Sequence, residues 1–115
     1  MDICFEGIGQ MVATFAAQEA LTPGMAVTLK DSGTVDLGSK GDALCGVTVG
    51  AERNGAVAVQ IGGVVKVGYP DENLPAVGWN ALTCDGEGKV AVAESGASCL
   101  VLAVDKDEKT VVIKL

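Results

Sequence analysis

Along most of the chain, apolar residues alternate with polar or small ones at a period of two. Val57-Ala58-Val59-Gln60-Ile61 and Val64-Val65-Lys66-Val67 show it, as do Val90-Ala91-Val92 and residues 44–49, 100–104 and 111–115. Successive side chains of an extended strand point to opposite faces, so this period predicts half-buried β-strands. The runs are Val-rich, about four to seven residues long, and bounded by turn residues. The turns are Asp31-Ser32-Gly33, Arg53-Asn54-Gly55, Asp85-Gly86-Glu87-Gly88 and Glu94-Ser95-Gly96, and Asp105-Lys106-Asp107-Glu108-Lys109 forms a charged hairpin connection. Asn54-Gly55 is the strongest signal, because both residues tolerate the positive φ of a type I′ turn. Residues 11–21 have a helical alternative through Ala16-Ala17-Gln18-Glu19-Ala20-Leu21. The alternation of Val12, Thr14 and Ala16 against Ala13 and Phe15 favours a strand. The expectation is an all-β protein, a compact β-barrel or β-sandwich of about 8–11 short strands, with residues 1–115 in a single β domain.

The second half of the chain follows the first at a displacement of 54 or 55. At 54, Gly9 falls on Gly63, Phe15 on Tyr69, Gly24 on Gly78 and Asp31 on Asp85. After one inserted residue, Gly33 falls on Gly88, Val35 on Val90, Gly41 on Gly96 and Val49 on Val104. The last strand returns to 54, with Val57 on Val111, Val59 on Ile113 and Ile61 on Leu115. A seven-residue lead and two 54-residue units account for the 115 residues. Any Gly-punctuated β chain aligns with itself to a degree, so chance and duplication both stay open. Duplication would give internal repeats 8–61 and 62–115, closing one barrel or sandwich about a pseudo-two-fold axis and removing exposed edges.

Composition narrows the chemistry. Eight Lys+Arg against 15 Asp+Glu leave a charge of −7, with no His and only Phe5, Phe15, Tyr69 and Trp79 as aromatics. An acidic chain without a basic cluster is a poor ligand for a phosphate backbone, so no nucleic acid partner is expected. Without His, the commonest general base and metal ligand are missing. Cys4, Cys45, Cys84 and Cys99 form no CxxC pair, and no His can activate them; buried free thiols are preferred to two disulfides. The Gly-rich stretches Gly38-Ser39-Lys40-Gly41 and Gly86-Glu87-Gly88-Lys89 lack the spacing of a phosphate loop and read as hairpin turns. Carboxylates are spread over turns, and Asp85-Gly86-Glu87 is too short for a calcium loop. The N-terminus has neither a basic nor an apolar signal region, and no apolar run approaches the ~20 residues of a membrane span. No catalytic residue, cofactor or metal site is assigned, and a non-enzymatic role is expected.

One segment breaks the strand pattern. Tyr69-Pro70-Asp71-Glu72-Asn73-Leu74-Pro75-Ala76-Val77-Gly78-Trp79 holds two of the three prolines and the two largest aromatics, in an excursion longer than a usual hairpin loop. It is the candidate protein-interface loop, with Tyr69, Pro70, Leu74, Pro75 and Trp79 as its contact residues and Leu74 and Pro75 at the tip. For Trp79, core packing at the start of a strand is preferred to an interface role.

Several phrases carry a resemblance: Leu21-Thr22-Pro23-Gly24-Met25-Ala26-Val27-Thr28-Leu29, Gly46-Val47-Thr48-Val49, Asn54-Gly55-Ala56-Val57-Ala58-Val59-Gln60-Ile61-Gly62-Gly63-Val64-Val65 and Pro75-Ala76-Val77-Gly78-Trp79-Asn80-Ala81-Leu82. From about Leu21 to the end, the chain resembles the small Gly/Val-rich β proteins encoded near the major capsid gene of tailed bacteriophages and prophages. These are head-decoration or capsid-stabilising proteins. The resemblance implies a barrel-like β fold, no enzymatic activity, and a homo-oligomer, often a trimer, bound to the major capsid protein on the virion surface after synthesis in the bacterial cytoplasm. Its phrases are structural, so no functional residue is carried over. The alternative is a cytoplasmic β-barrel binding module for a small ligand or partner protein. A lipoyl-type carrier fits poorly, because Lys106 lies between Asp105 and Asp107 rather than in a carrier motif.

Overall fold

The computed structural model describes residues 10–70 and 75–115. Its first five strands are β1 (Met11–Ala17), β2 (Ala26–Asp31), β3 (Thr34–Asp36), β4 (Gly46–Thr48) and β5 (Ala56–Gly62), and they form a closed barrel in the order β1-β3-β2-β4-β5. The next five are β6 (Val64–Gly68), β7 (Gly78–Cys84), β8 (Val90–Val92), β9 (Ala97–Asp105) and β10 (Thr110–Lys114). They form a second sheet in the order β6-β10-β9-β7-β8. No helix occurs among the described residues, and the fold is all-β. Residues 11–17 take the strand alternative: Val12, Thr14 and Ala16 face solvent, whereas Ala13, Phe15 and Ala17 turn inward.

Turn chemistry sets the strand ends. Asn54 and Gly55 have φ of 52° and 80°, and Arg53 and Ala56 exchange backbone hydrogen bonds of 2.8 and 2.9 Å across them. That is the geometry of a type I′ turn. In the β7–β8 hairpin the Asp85 carboxylate accepts from the Glu87 and Lys89 N–H groups at 2.7 and 2.9 Å. Residues 38–41 depart from the expected hairpin turn. β3 is flanked by β1 and β2, so no edge is left for β4, and the chain must cross β2 to reach it. The crossing segment joins the two halves instead: the Gly41 N–H donates to the Cys84 carbonyl, the Cys84 N–H donates to the Asp42 carbonyl, and Ala43 bridges Thr83.

Two cores result. Val27, Val35, Val57 and Val59 fill the barrel interior with Ala17 and Leu21. The second core gathers Val67, Tyr69, Leu82, Cys84, Val90, Cys99, Val101, Val111 and Ile113, and takes in Ala26 and Val47 from the barrel. Ala26 and Val47 are paired across β2 and β4, and their side chains leave the barrel where that of Val27 enters it. The period of two thus lets β2 serve both cores.

Both halves share one neighbour order. The barrel, read as β1-β5-β4-β2-β3, corresponds strand for strand to β6-β10-β9-β7-β8. Residues 54 or 55 apart also share positive φ, as in Gly24 and Gly78, Gly33 and Gly88, and Gly55 and Lys109. The difference lies in closure. A parallel β1–β3 pair shuts the barrel, with the Ala16 N–H donating to the Gly33 carbonyl at 2.8 Å. Pro70 occupies the place of Ala16 in the second half and has no N–H to donate. The corresponding carbonyl, that of Gly88, accepts from the Ala26 N–H of the barrel at 2.8 Å. The second sheet stays open, and the bond it lacks becomes a tie between the halves.

Candidate protein-interaction surface

The 69–79 excursion returns the chain from the end of β6 to the start of β7, and its residues divide sharply. Tyr69 is 1% exposed and lies in the second core, so it is no interface anchor. Val65, Val67 and Tyr69 fall on one face by the period of two, and the Tyr69 N–H extends the β6–β10 ladder by donating to the Lys109 carbonyl at 3.0 Å. Pro70 is half-buried. Pro75, expected at an exposed tip, is buried. Leu74 lies outside the described residues.

Trp79 departs from the expectation of core packing: it is 68% exposed, and its neighbour Val77 is 70% exposed. Strand geometry explains the outcome. Leu82 and Cys84 point into the core, and odd-numbered positions of β7 therefore point away from it. The Asn80 side-chain amide donates to the Ala76 and Gly78 carbonyls at 2.7 and 3.0 Å, which fixes the entry into β7 next to the indole. The alternation was visible in the sequence. Which face meets the core was not, since a Trp is the larger apolar group.

Across the second sheet, cross-strand register places Trp79 opposite Leu100, Leu100 opposite Lys114, and Lys114 opposite Val64. This row lies on the outward face, because Val111 and Ile113 on β10 and Val101 on β9 take the inward positions. A second row sets Ala103, Val112 and Lys66 side by side. The face is apolar, with two lysines. Lys66 pairs with Glu108 at 3.2 Å where both are exposed, and Lys114 makes no ion pair among the described residues.

Other candidate chemistry is occupied. A polar groove of about 420 Å³ is lined by Thr28, Asp36, Gly38, Ser39 and Asp42. Its carboxylates hold their own loop: Asp36 accepts from the Gly38 N–H at 2.8 Å and faces the Lys30 ammonium at 3.4 Å, and Asp42 accepts from the Ser39 N–H at 2.8 Å. Cys45, Cys84 and Cys99 are free thiols. Burial, reinforced by the nearby Asp42 and Asp85 carboxylates, pushes the Cys84 thiol up to about 12, and burial alone raises Cys45 and Cys99. A thiol held neutral in this way is a packing group rather than a nucleophile. No group of three or more His, Cys, Asp or Glu among the described residues is placed to hold a metal ion. No protein-family model matches the chain, and no curated protein sequence matches it.

Proposed function

We propose that the chain is a non-enzymatic structural protein that decorates or stabilises the head of a tailed phage or prophage. Its partner in this reading is the major capsid protein, its working form a homo-oligomer, with a trimer preferred, and its place the capsid surface. The observation that carries the reading is the outward Trp79 face: the largest side chain of an aromatic-poor chain is spent on solvent while the interior is filled with Val. Exposed apolar patches centred on an aromatic residue are typical of protein interfaces. The strand and turn phrases resemble those of capsid accessory proteins, and repeated contacts on a shell let modest single-site affinity suffice. The charge of −7 keeps unassembled copies apart.

A barrel that encloses a small apolar ligand would need an interior space. The barrel interior is instead filled by Val27, Val35, Val57 and Val59, each 2% exposed or less. The test is co-sedimentation of the purified chain with undecorated heads of the phage or prophage whose genome encodes it. Saturable binding at a fixed ratio to the capsid protein is expected. Absence of binding, together with a strictly monomeric chain by light scattering, would refute the proposal.

A further inference from the structure

We infer that the outward face of the second sheet, centred on the row Trp79, Leu100, Lys114 and Val64, docks a different protein through an apolar patch ringed by carboxylates. Register and burial define the face. Trp79 stands opposite Leu100, which stands opposite Lys114, and Val112 continues the apolar surface beside Lys114 on β10. Cross-strand neighbours on one face lie close enough to act as a single contact surface. The indole supplies a large rigid group that loses little conformational freedom on binding.

Charge selects the partner. The chain as a whole carries −7, yet the two rows of this face carry only Lys66 and Lys114 as charged side chains. Asp105 and Glu108 lie at the turn end of the sheet and are engaged there: Asp105 accepts from the Asp107 and Glu108 N–H groups, and Glu108 pairs with Lys66. Lys114, at the Trp79 end, makes no ion pair among the described residues, and its exposed ammonium can meet a carboxylate of the partner. Its aliphatic stem covers apolar surface while its ammonium reaches the rim. Two copies meeting face to face would gather four lysines in one interface and bring together two chains of −7 each. Both effects oppose self-association through this face. Oligomerisation of the chain therefore uses another surface, and this one is left for a foreign protein.

The inference rests on the capsid reading for the identity of that protein. The test uses undecorated heads with four forms of the full chain: wild type, Trp79→Ser, Lys114→Glu, and Lys30→Glu on the barrel as a distant control. Wild type and K30E are expected to bind within about twofold of each other, and W79S and K114E to lose about tenfold or more in affinity. Wild-type binding should also weaken with added salt. Circular dichroism and melting of each variant establish that it is folded, which the exposure of both side chains favours. Equal binding of wild type, W79S and K114E would overturn the face while leaving the capsid reading intact. Failure of wild type to bind would overturn both. A shift of W79S to a smaller species in sedimentation velocity would show that a second copy covers the face, and would also overturn the inference.

Discussion

The Ala26 N–H donates to the carbonyl of Gly88 at 2.8 Å, and this bond joins those of Gly41 and Asp42 with Cys84 in tying the closed barrel to the open sheet. In the barrel the corresponding carbonyl, that of Gly33, is taken by Ala16 from the same half. Pro70 cannot repeat that bond, so the Gly88 carbonyl is free for Ala26. Ala26 is fully buried, and an unpaired N–H there would cost about as much as a lost hydrogen bond. The Ala26 amide is therefore expected to exchange its hydrogen as slowly as the core strands, and the Ala16 amide, on an exposed residue, faster. Rapid exchange at Ala26 would show that the halves open apart before the chain unfolds.

Gly46, at the start of β4, packs directly against the backbone of its antiparallel neighbour β5. A Cβ at this position would run into the Gln60 carbonyl oxygen and come within 2.8 Å of the Val59 Cγ1. Backbone cannot move aside as a side-chain tip can. Gly46→Ala is expected to destabilise by about 3 kcal/mol, measured by urea denaturation. A loss near zero would mean that the barrel can widen at β4.

Thr48 is buried, and its hydroxyl organises the chain entering β2. It donates to the Thr22 carbonyl at 2.6 Å and accepts from the Met25 N–H at 2.9 Å. Thr48→Val keeps the shape and removes both bonds, with an expected cost of about 2 kcal/mol. Thr48→Ser should retain most of the stability, and equal loss in the two variants would assign the effect to packing instead.

Cys84 makes stability depend on alkaline pH. In the fold the thiol holds its proton up to about 12, against 9.0 for the free group. The unfolded chain releases that proton first, so the contribution is complete below about pH 9 and is lost as pH rises towards 12. Denaturation at pH 8 and at pH 10.5 should show lower stability at the higher value, and Cys84→Ala should reduce the difference. An identical pH dependence in the variant would exclude Cys84 as its source. At pH 8 the folded chain should also leave Cys84 and Cys99 unmodified by thiol reagents.

Asn54 holds a φ of 52° in the exposed β4–β5 connection. Asn adopts this left-handed conformation more readily than other side-chain-bearing residues. Asn54→Ala is expected to lower stability by about 1 kcal/mol, and Asn54→Gly to be neutral or stabilising, read from the shift in melting temperature.

Much of the architecture was legible in the sequence because it is local. Alternation at 57–61, 64–67, 90–92, 100–104 and 111–115 marks strands that the fold contains, and Asn54-Gly55 dictates its own turn. The spacing of 54 or 55 marks places where the two halves share backbone conformation, as at Gly33 and Gly88. What alternation leaves open is which of two faces meets the core. Inverting one strand moves all of its side chains at once, and only packing against neighbouring strands decides the sign. That decision put Tyr69 inside and Trp79 outside, against the sequence expectation for both. Pairing partners are equally non-local: nothing in residues 38–41 says that they bridge to Cys84 rather than form a hairpin. The closure of one half and the opening of the other needed both levels. The sequence determined that Pro70 has no N–H, and the tertiary structure decided that the Gly88 carbonyl would turn to Ala26.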